Sequence, residues 1–212
     1  MTDGPAARGF PRDVLADESL AAARCLIGTL LVREPEHPGG ERRTGRVVEV
    51  EAYIGLEDRA SHARMGPTPR NRVMFGPAGI AYVYLVYGMH HCLNVVTEAA
   101  GRPAALLVRA VEPVAGMVAM RAARGRPGVA DHRLAAGPGL LGAAFGIDRS
   151  FTGMDLCDPA SPLHLEAAPV GRPAPNLASG PRIGIASAGE PWTTVPWRLV
   201  DADSPSLSRR IG

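Results

Sequence analysis

The chain of 212 residues, 46% hydrophobic and 21% charged, has room for one well-buried domain, and its 20 prolines and 25 glycines call for many turns. A net charge of +2 does not by itself imply nucleic acid, but all 23 basic residues are arginine, so chemistry that needs a lysine amine is excluded. Three cysteines, widely separated and without CxxC or His/Cys ligand spacing, argue against a disulfide framework or zinc, so neither metal nor cofactor is expected.

The chain is expected to divide into a flexible leader over 1–9, one folded domain over 10–204 and a frayed tail over 205–212. The leader carries charges and no apolar block, so no secretory signal is expected and the protein is placed inside the cell, in the cytoplasm or with the nucleoid. Residues 17–26 read as a short helix with Asp17 or Ser19 available as a cap, 27–33 as a strand, and 34–40 as a polar loop. Residues 46–54 alternate. Val48, Val50, Ala52 and Ile54 share one face, and Glu49, Glu51 and Tyr53 share the other, so one face enters the core while the opposite presents two carboxylates and a phenol.

Residues 55–77 read as a polar loop bearing His62, Thr68, Arg70, Asn71 and Arg72. The mostly apolar run 77–96 is long enough to weigh as a membrane span, yet it holds His90, His91 and Asn94 and mixes aromatic with β-branched residues. It fits better as two strands, 80–86 and 90–96, joined by a turn at Tyr87-Gly88-Met89. A further strand is expected over 104–111, helices over 113–124 and 140–145, and short strands over 163–167, 182–186 and 197–200. Strands that outnumber helices without regular βαβ spacing predict an α+β fold: a single mixed domain, a curved antiparallel sheet with surrounding helices and a protruding hairpin.

Three segments carry the chemistry: Val48-Glu49-Val50-Glu51-Ala52-Tyr53, then Tyr82-Val83-Tyr84-Leu85-Val86-Tyr87-Gly88-Met89, then Leu107-Val108-Arg109-Ala110-Val111-Glu112-Pro113. With Thr68-Pro69-Arg70-Asn71-Arg72 and Pro181-Arg182-Ile183-Gly184, their order and spacing resemble the alkyladenine (3-methyladenine, or methylpurine) DNA glycosylase family over most of the chain. Such an enzyme must pull a damaged purine out of the duplex and fill the gap. A large side chain at a hairpin tip suits that wedge, and the resemblance assigns it to Tyr87, with Met89 beside it. Flat, electron-rich rings suit an electron-poor alkylated base, which points to Tyr53 and Tyr84. By resemblance His62 faces them across the pocket, and Asn94 crowds the exocyclic amino group of guanine.

Cleavage at C1′ passes through oxocarbenium character, and a carboxylate that activates water suits it. Spacing alone leaves Glu49 and Glu51 open; the Glu-Ala-Tyr wording of the family selects Glu51, with Arg109 positioning the water and a nearby phosphate. Thr68, Arg70, Asn71 and Arg72 are expected on the DNA backbone. The expected partner is double-stranded DNA containing damaged purines, bound by a monomer with no membrane contact. A catalytically silent module that only binds lesions or RNA stays open as the alternative. One departure from the family is His90-His91 after the tip, where some members carry bulkier aromatics.

Overall fold

The computed structural model describes residues 9–168 and 171–211. Of the expected leader only Gly9 lies within them, bridged to Glu166. The elements run α1 Arg12–Ala16, α2 Ser19–Leu26, β1 Leu30–Arg33, β2 Arg43–Ile54, β3 Ala81–Val86, β4 His90–Val96, β5 Ala104–Ala115, α3 Met117–Ala123, α4 Pro138–Phe145, β6 Leu163–Glu166, β7 Leu177–Gly180 and β8 Arg198–Asp201. The expected α+β class holds: one antiparallel sheet in the order β3-β4-β5-β2-β1-β6, with β8 added on β2 and β7 on β8, and helices around it. Among the described residues no helix is long and apolar enough to cross a membrane, and 80–96 forms the expected hairpin.

β2 organises the sheet. One edge pairs with β5 throughout, while the other is shared, its first half bonded to β1 (Leu30 opposite Arg46) and its second half to β8 (Glu51 opposite Arg198). The register against β5 shifts between Val47 and Val50, at the point where the other edge changes partner. An extra residue there reverses which side the following side chains face. Val47, Val50 and Ala52 therefore join the main core, whereas Val48 packs with Ala110, Val200 and Leu207 in a separate cluster. The simple alternation expected for 46–54 fails at Val48 for this reason. Because the segments on either side of β8 close over the second face, with Ile183 bonded to Glu51 and Ser208 to Glu49, both carboxylates are buried rather than presented to solvent.

The core lies between this sheet and α2 and α4, filled by Leu26, Leu31, Leu106, Val108, Leu141 and Phe145. α4 sits close against β4: a Cβ at Gly142 would stand 2.3 Å from the His91 carbonyl oxygen, so only glycine allows the approach. This packing brings the start of α4 beside the hairpin.

Three sequence expectations are corrected. Residues 113–115 continue β5 instead of opening a helix, because Pro113 falls opposite Gly45 at a register irregularity where the missing N–H is tolerated, and α3 begins only after Gly116. No strand forms over 182–186; the strand lies earlier, at Leu177–Gly180, and the chain leaves the sheet at Pro181 so that Arg182 can turn inward. The first half of the expected tail, 205–212, is packed instead of frayed, since Ser206 and Leu207 are buried.

Candidate active site

Glu51 is fully buried and its carboxylate accepts three hydrogen bonds: from the Tyr53 hydroxyl at 2.9 Å, from Arg109 Nη1 at 3.2 Å and from the Ile183 backbone N–H at 2.7 Å. All three donors belong to residues that line a cavity of about 400 Å³. Glu49 is also buried but faces elsewhere. It accepts from Arg109 Nε (3.0 Å), Arg198 Nη1 (3.1 Å), and the Ser208 backbone N–H and hydroxyl (both 2.7 Å). The structure thus separates two carboxylates that spacing left equivalent: four donors saturate Glu49 and only one of them, Arg109, belongs to a cavity-lining residue, whereas every donor to Glu51 does. Burial opposes the charge on Arg109, yet Glu51 and Glu49 outweigh it and raise its pKa, so the guanidinium stays charged. Burial, together with the neighbouring Glu51 charge, pushes the Tyr53 phenol well above its ordinary range, so it serves as a donor and not as a base.

The cavity walls come from four directions. β2 supplies Tyr53, the loop after it His62, the hairpin Tyr84 and Asn94, and β5 Arg109. The rings of His62 and Tyr84 meet edge to face with centroids 4.5 Å apart. His62 Nδ1 lies 2.9 Å from the Tyr82 hydroxyl. Burial, with Arg70 nearby, lowers the imidazole pKa to about 4. The neutral form is therefore favoured. A depressed histidine pKa contributes stability above the unfolded value of about 6.5 and loses it as pH falls from there toward 4. In an NMR titration, the His62 ring signals are therefore expected to stay at the neutral position at pH 6; a midpoint at 6.5 would contradict this environment.

Asn94 donates from Nδ2 to the carbonyls of Tyr82 (3.0 Å) and Cys92 (3.3 Å). Two carbonyl acceptors fix which end of the amide is nitrogen, so its side-chain oxygen is the atom turned from the strand among the cavity-lining residues.

At the tip, Tyr87 and Gly88 both have positive φ (53° and 69°), and the Met89 N–H bonds to the Val86 carbonyl, closing a β-turn within the three-residue loop between the paired Val86 and His90. Tyr87 and Met89 are among the most exposed apolar side chains, at 84% and 69%. Asparagine or glycine suits such a position, whereas a bulky tyrosine in left-handed backbone costs on the order of 1 kcal/mol. The strained residue thus carries an exposed ring that also lines the cavity. Tyr87→Asn is expected to leave the melting temperature equal or slightly raised while slowing single-turnover base release about tenfold or more; an unchanged rate would remove Tyr87 from the mechanism.

The loop beside the cavity is organised by Asn71. Its side chain accepts from the Thr68 N–H and hydroxyl (2.6 and 2.8 Å) and donates to the His62 and Gly66 carbonyls (2.7 and 3.1 Å). Asn71 is buried and its side-chain amide is engaged in holding the loop. Thr68, Arg70 and Arg72 remain exposed, with the Arg70 guanidinium 5.6 Å from the Tyr84 ring centroid.

Sequence reasoning gave no role to Asp58, Arg182, Arg198 or Ser208. Arg182 and Asp58 form a bidentate pair (2.6 and 2.9 Å) with both side chains fully buried. Arg182 also donates to the Ala52 carbonyl at 2.9 Å and lies between two rings, 4.7 Å from the Tyr53 centroid and 5.0 Å from that of Trp197. Asp58 accepts in addition from the N–H groups of Ile54 and Ala60. The pair thus backs the Tyr53 ring and fixes the Ile183 N–H that follows it in the chain. Its two members are 124 residues apart, a distance over which local pattern carries no signal. Among the described residues, no three His, Cys, Asp or Glu side chains gather as a metal site.

Residues 13–205 match the methylpurine-DNA glycosylase family. The chain belongs to that family. Among its relatives, a protein of Myxococcus xanthus is 50% identical over 94% of this chain and 93% of its own length. One of Methanocella arvoryzae is 46% identical over 95% and 96%, and one of Nitrosococcus oceani 42% over 99% and 96%. All three are named as candidate 3-methyladenine DNA glycosylases. Membership of the methylpurine-DNA glycosylase family places this chain in DNA repair, among hydrolases acting on N-glycosyl bonds.

Proposed function

We propose that this methylpurine-DNA glycosylase family member is a monofunctional enzyme that flips alkylated or deaminated purines, of the 3-methyladenine, 7-methylguanine, hypoxanthine and ethenoadenine class, and hydrolyses their N-glycosidic bond. The observation that carries the reading is the Glu51 carboxylate lying beneath an aromatic cavity and bonded to three residues that line it. A carboxylate has about four acceptor directions, and three are filled, which leaves one on Oε1 for water. Tyr53, stacked against the extruded base, shifts to admit that water. The water attacks C1′ as the C1′–N bond breaks; its proton passes to Glu51, and the bonding electrons leave with the base. The ionised carboxylate also stabilises the developing positive charge on the sugar.

Tyr53 on one side and His62 with Tyr84 on the other stack the purine, and a neutral His62 avoids repelling a cationic lesion. The Asn94 side chain meets the 2-amino group of guanine and disfavours the normal base. Tyr87 and Met89 enter the stack that the purine vacates, and Arg70 and Arg72 neutralise phosphates, with Thr68 and Asn71 holding the loop that carries them against the DNA backbone. With no lysine in the chain, no side-chain amine is available to form a Schiff base with the sugar, so the abasic strand is left uncut.

The test is a duplex containing one methylated or hypoxanthine base. Free base should be released, the strand should break only after alkali, and borohydride should trap no covalent complex. Tight lesion binding without release would favour the silent binding module, and better affinity for structured RNA than for lesion duplex would favour an RNA role.

A further inference from the structure

The segment after β8 returns across the sheet. Leu207 packs with Val48, Ala110 and Val200, Ile211 packs against the same cluster, and the family match ends before either, at residue 205. The polar groups of this segment converge on one point. Ser208 donates from its backbone N–H to Glu49 Oε2 and from its hydroxyl to Glu49 Oε1, both at 2.7 Å. The same hydroxyl accepts from Arg109 Nη2 at 3.3 Å, and the Arg209 carbonyl accepts from Arg198 Nη1 at 2.9 Å.

A guanidinium is planar, and its donors form a rigid fork. Nε of Arg109 is held by Glu49 at 3.0 Å and Nη2 by Ser208, and these two donors lie on the same edge of the fork. Fixing that edge fixes the direction of the remaining nitrogen, Nη1, which meets Glu51 at 3.2 Å. Glu49 thereby acquires a purpose that its distance from the cavity had left open: with Ser208 it grips the far side of the arginine.

We propose that residues 206–211 form a strap whose Ser208 is a positioning residue, aiming Arg109 at the Glu51 carboxylate. The inference rests on the assignment of Glu51 and Arg109 to the hydrolytic step. Leu207 supplies the strap's apolar anchoring, and the Ser208 hydroxyl adds none, so the two roles are separable by substitution.

The experiment uses the full chain with Ser208→Ala and Ser208→Thr. Removing a hydroxyl bonded to two charged groups is expected to slow single-turnover release from a lesion duplex about tenfold, with lesion affinity little changed and the melting temperature lowered by a few degrees. Ser208→Thr, which keeps the oxygen, is expected to restore the rate to within about twofold. A Ser208→Ala rate within twofold of wild type, or equal losses for alanine and threonine, would overturn the proposal. ¹⁵N NMR of the Arg109 guanidinium reads the clamp without catalysis. Distinct, slowly rotating Nη signals are expected in wild type and averaged ones in Ser208→Ala, and identical spectra would sink the strap. A wild-type protein that releases no base would instead remove the proposed function, while the spectra still decide whether Ser208 holds the arginine.

Discussion

Glu51→Gln is expected to abolish base release, with a fall of about 10³-fold or more in single-turnover rate, while lesion-duplex affinity stays within a few-fold. Glutamine keeps the shape but cannot take the proton of the attacking water or balance positive charge on the sugar. Three donors point at this carboxylate, so the amide nitrogen of the replacement must face one of them, and a modest loss of stability accompanies the catalytic one. Quench-flow excision on a hypoxanthine duplex, paired with a binding titration and a melting curve, separates the two effects. Release at the wild-type rate would end the assignment of Glu51, and Glu49→Gln on the same substrate would then be the variant to measure.

Asp58→Ala should produce the largest loss of stability, about 3–5 kcal/mol, because it strands the fully buried Arg182 guanidinium without its partner. For a domain of this size that corresponds to a fall of roughly 10 °C in melting temperature. The Ile54 and Ala60 N–H groups lose their acceptor as well, and Arg182 is no longer fixed between the Tyr53 and Trp197 rings. Below the new melting point, excision should therefore be slower and lesion binding weaker, since both the stacking ring and the Ile183 N–H lose their support. Asp131→Ala breaks the pair of Arg121 and Asp131, whose side chains are 28% and 57% exposed, and should cost less than about 1 kcal/mol. Calorimetry on both variants provides the contrast, and equal melting shifts would show that the buried pair carries no special share of the stability.

Local pattern was legible where one partner dominates a segment. The hairpin at 80–96 and the helix ending at Leu26 lie where periodicity put them, because the hairpin's strands pair with each other and the helix buries one face in the main core. Pattern failed where a segment serves two. Val48 sits in the register shift where β2 exchanges β1 for β8, Pro113 sits in a strand because Gly45 opposes it, and Arg182 leaves the sheet for an aspartate in another loop. Asn71 was legible as a polar loop residue but not as the one that holds the loop together, since its partners are backbone carbonyls and a threonine a turn away.

By itself, the sequence determined the family, the α+β class, the aromatic character of the pocket and, through the absence of lysine, the lack of a side-chain amine for the sugar. These are matters of composition and of motif order, which survive without coordinates. Only the tertiary structure gave Glu49 and Glu51 their separate sets of partners, enlisted Asp58 and Arg182 behind Tyr53, and drew Ser208 into the arginine's grip. The reason is that a buried charge must find partners wherever the fold brings them, and those partners are set by three-dimensional proximity rather than by spacing along the chain.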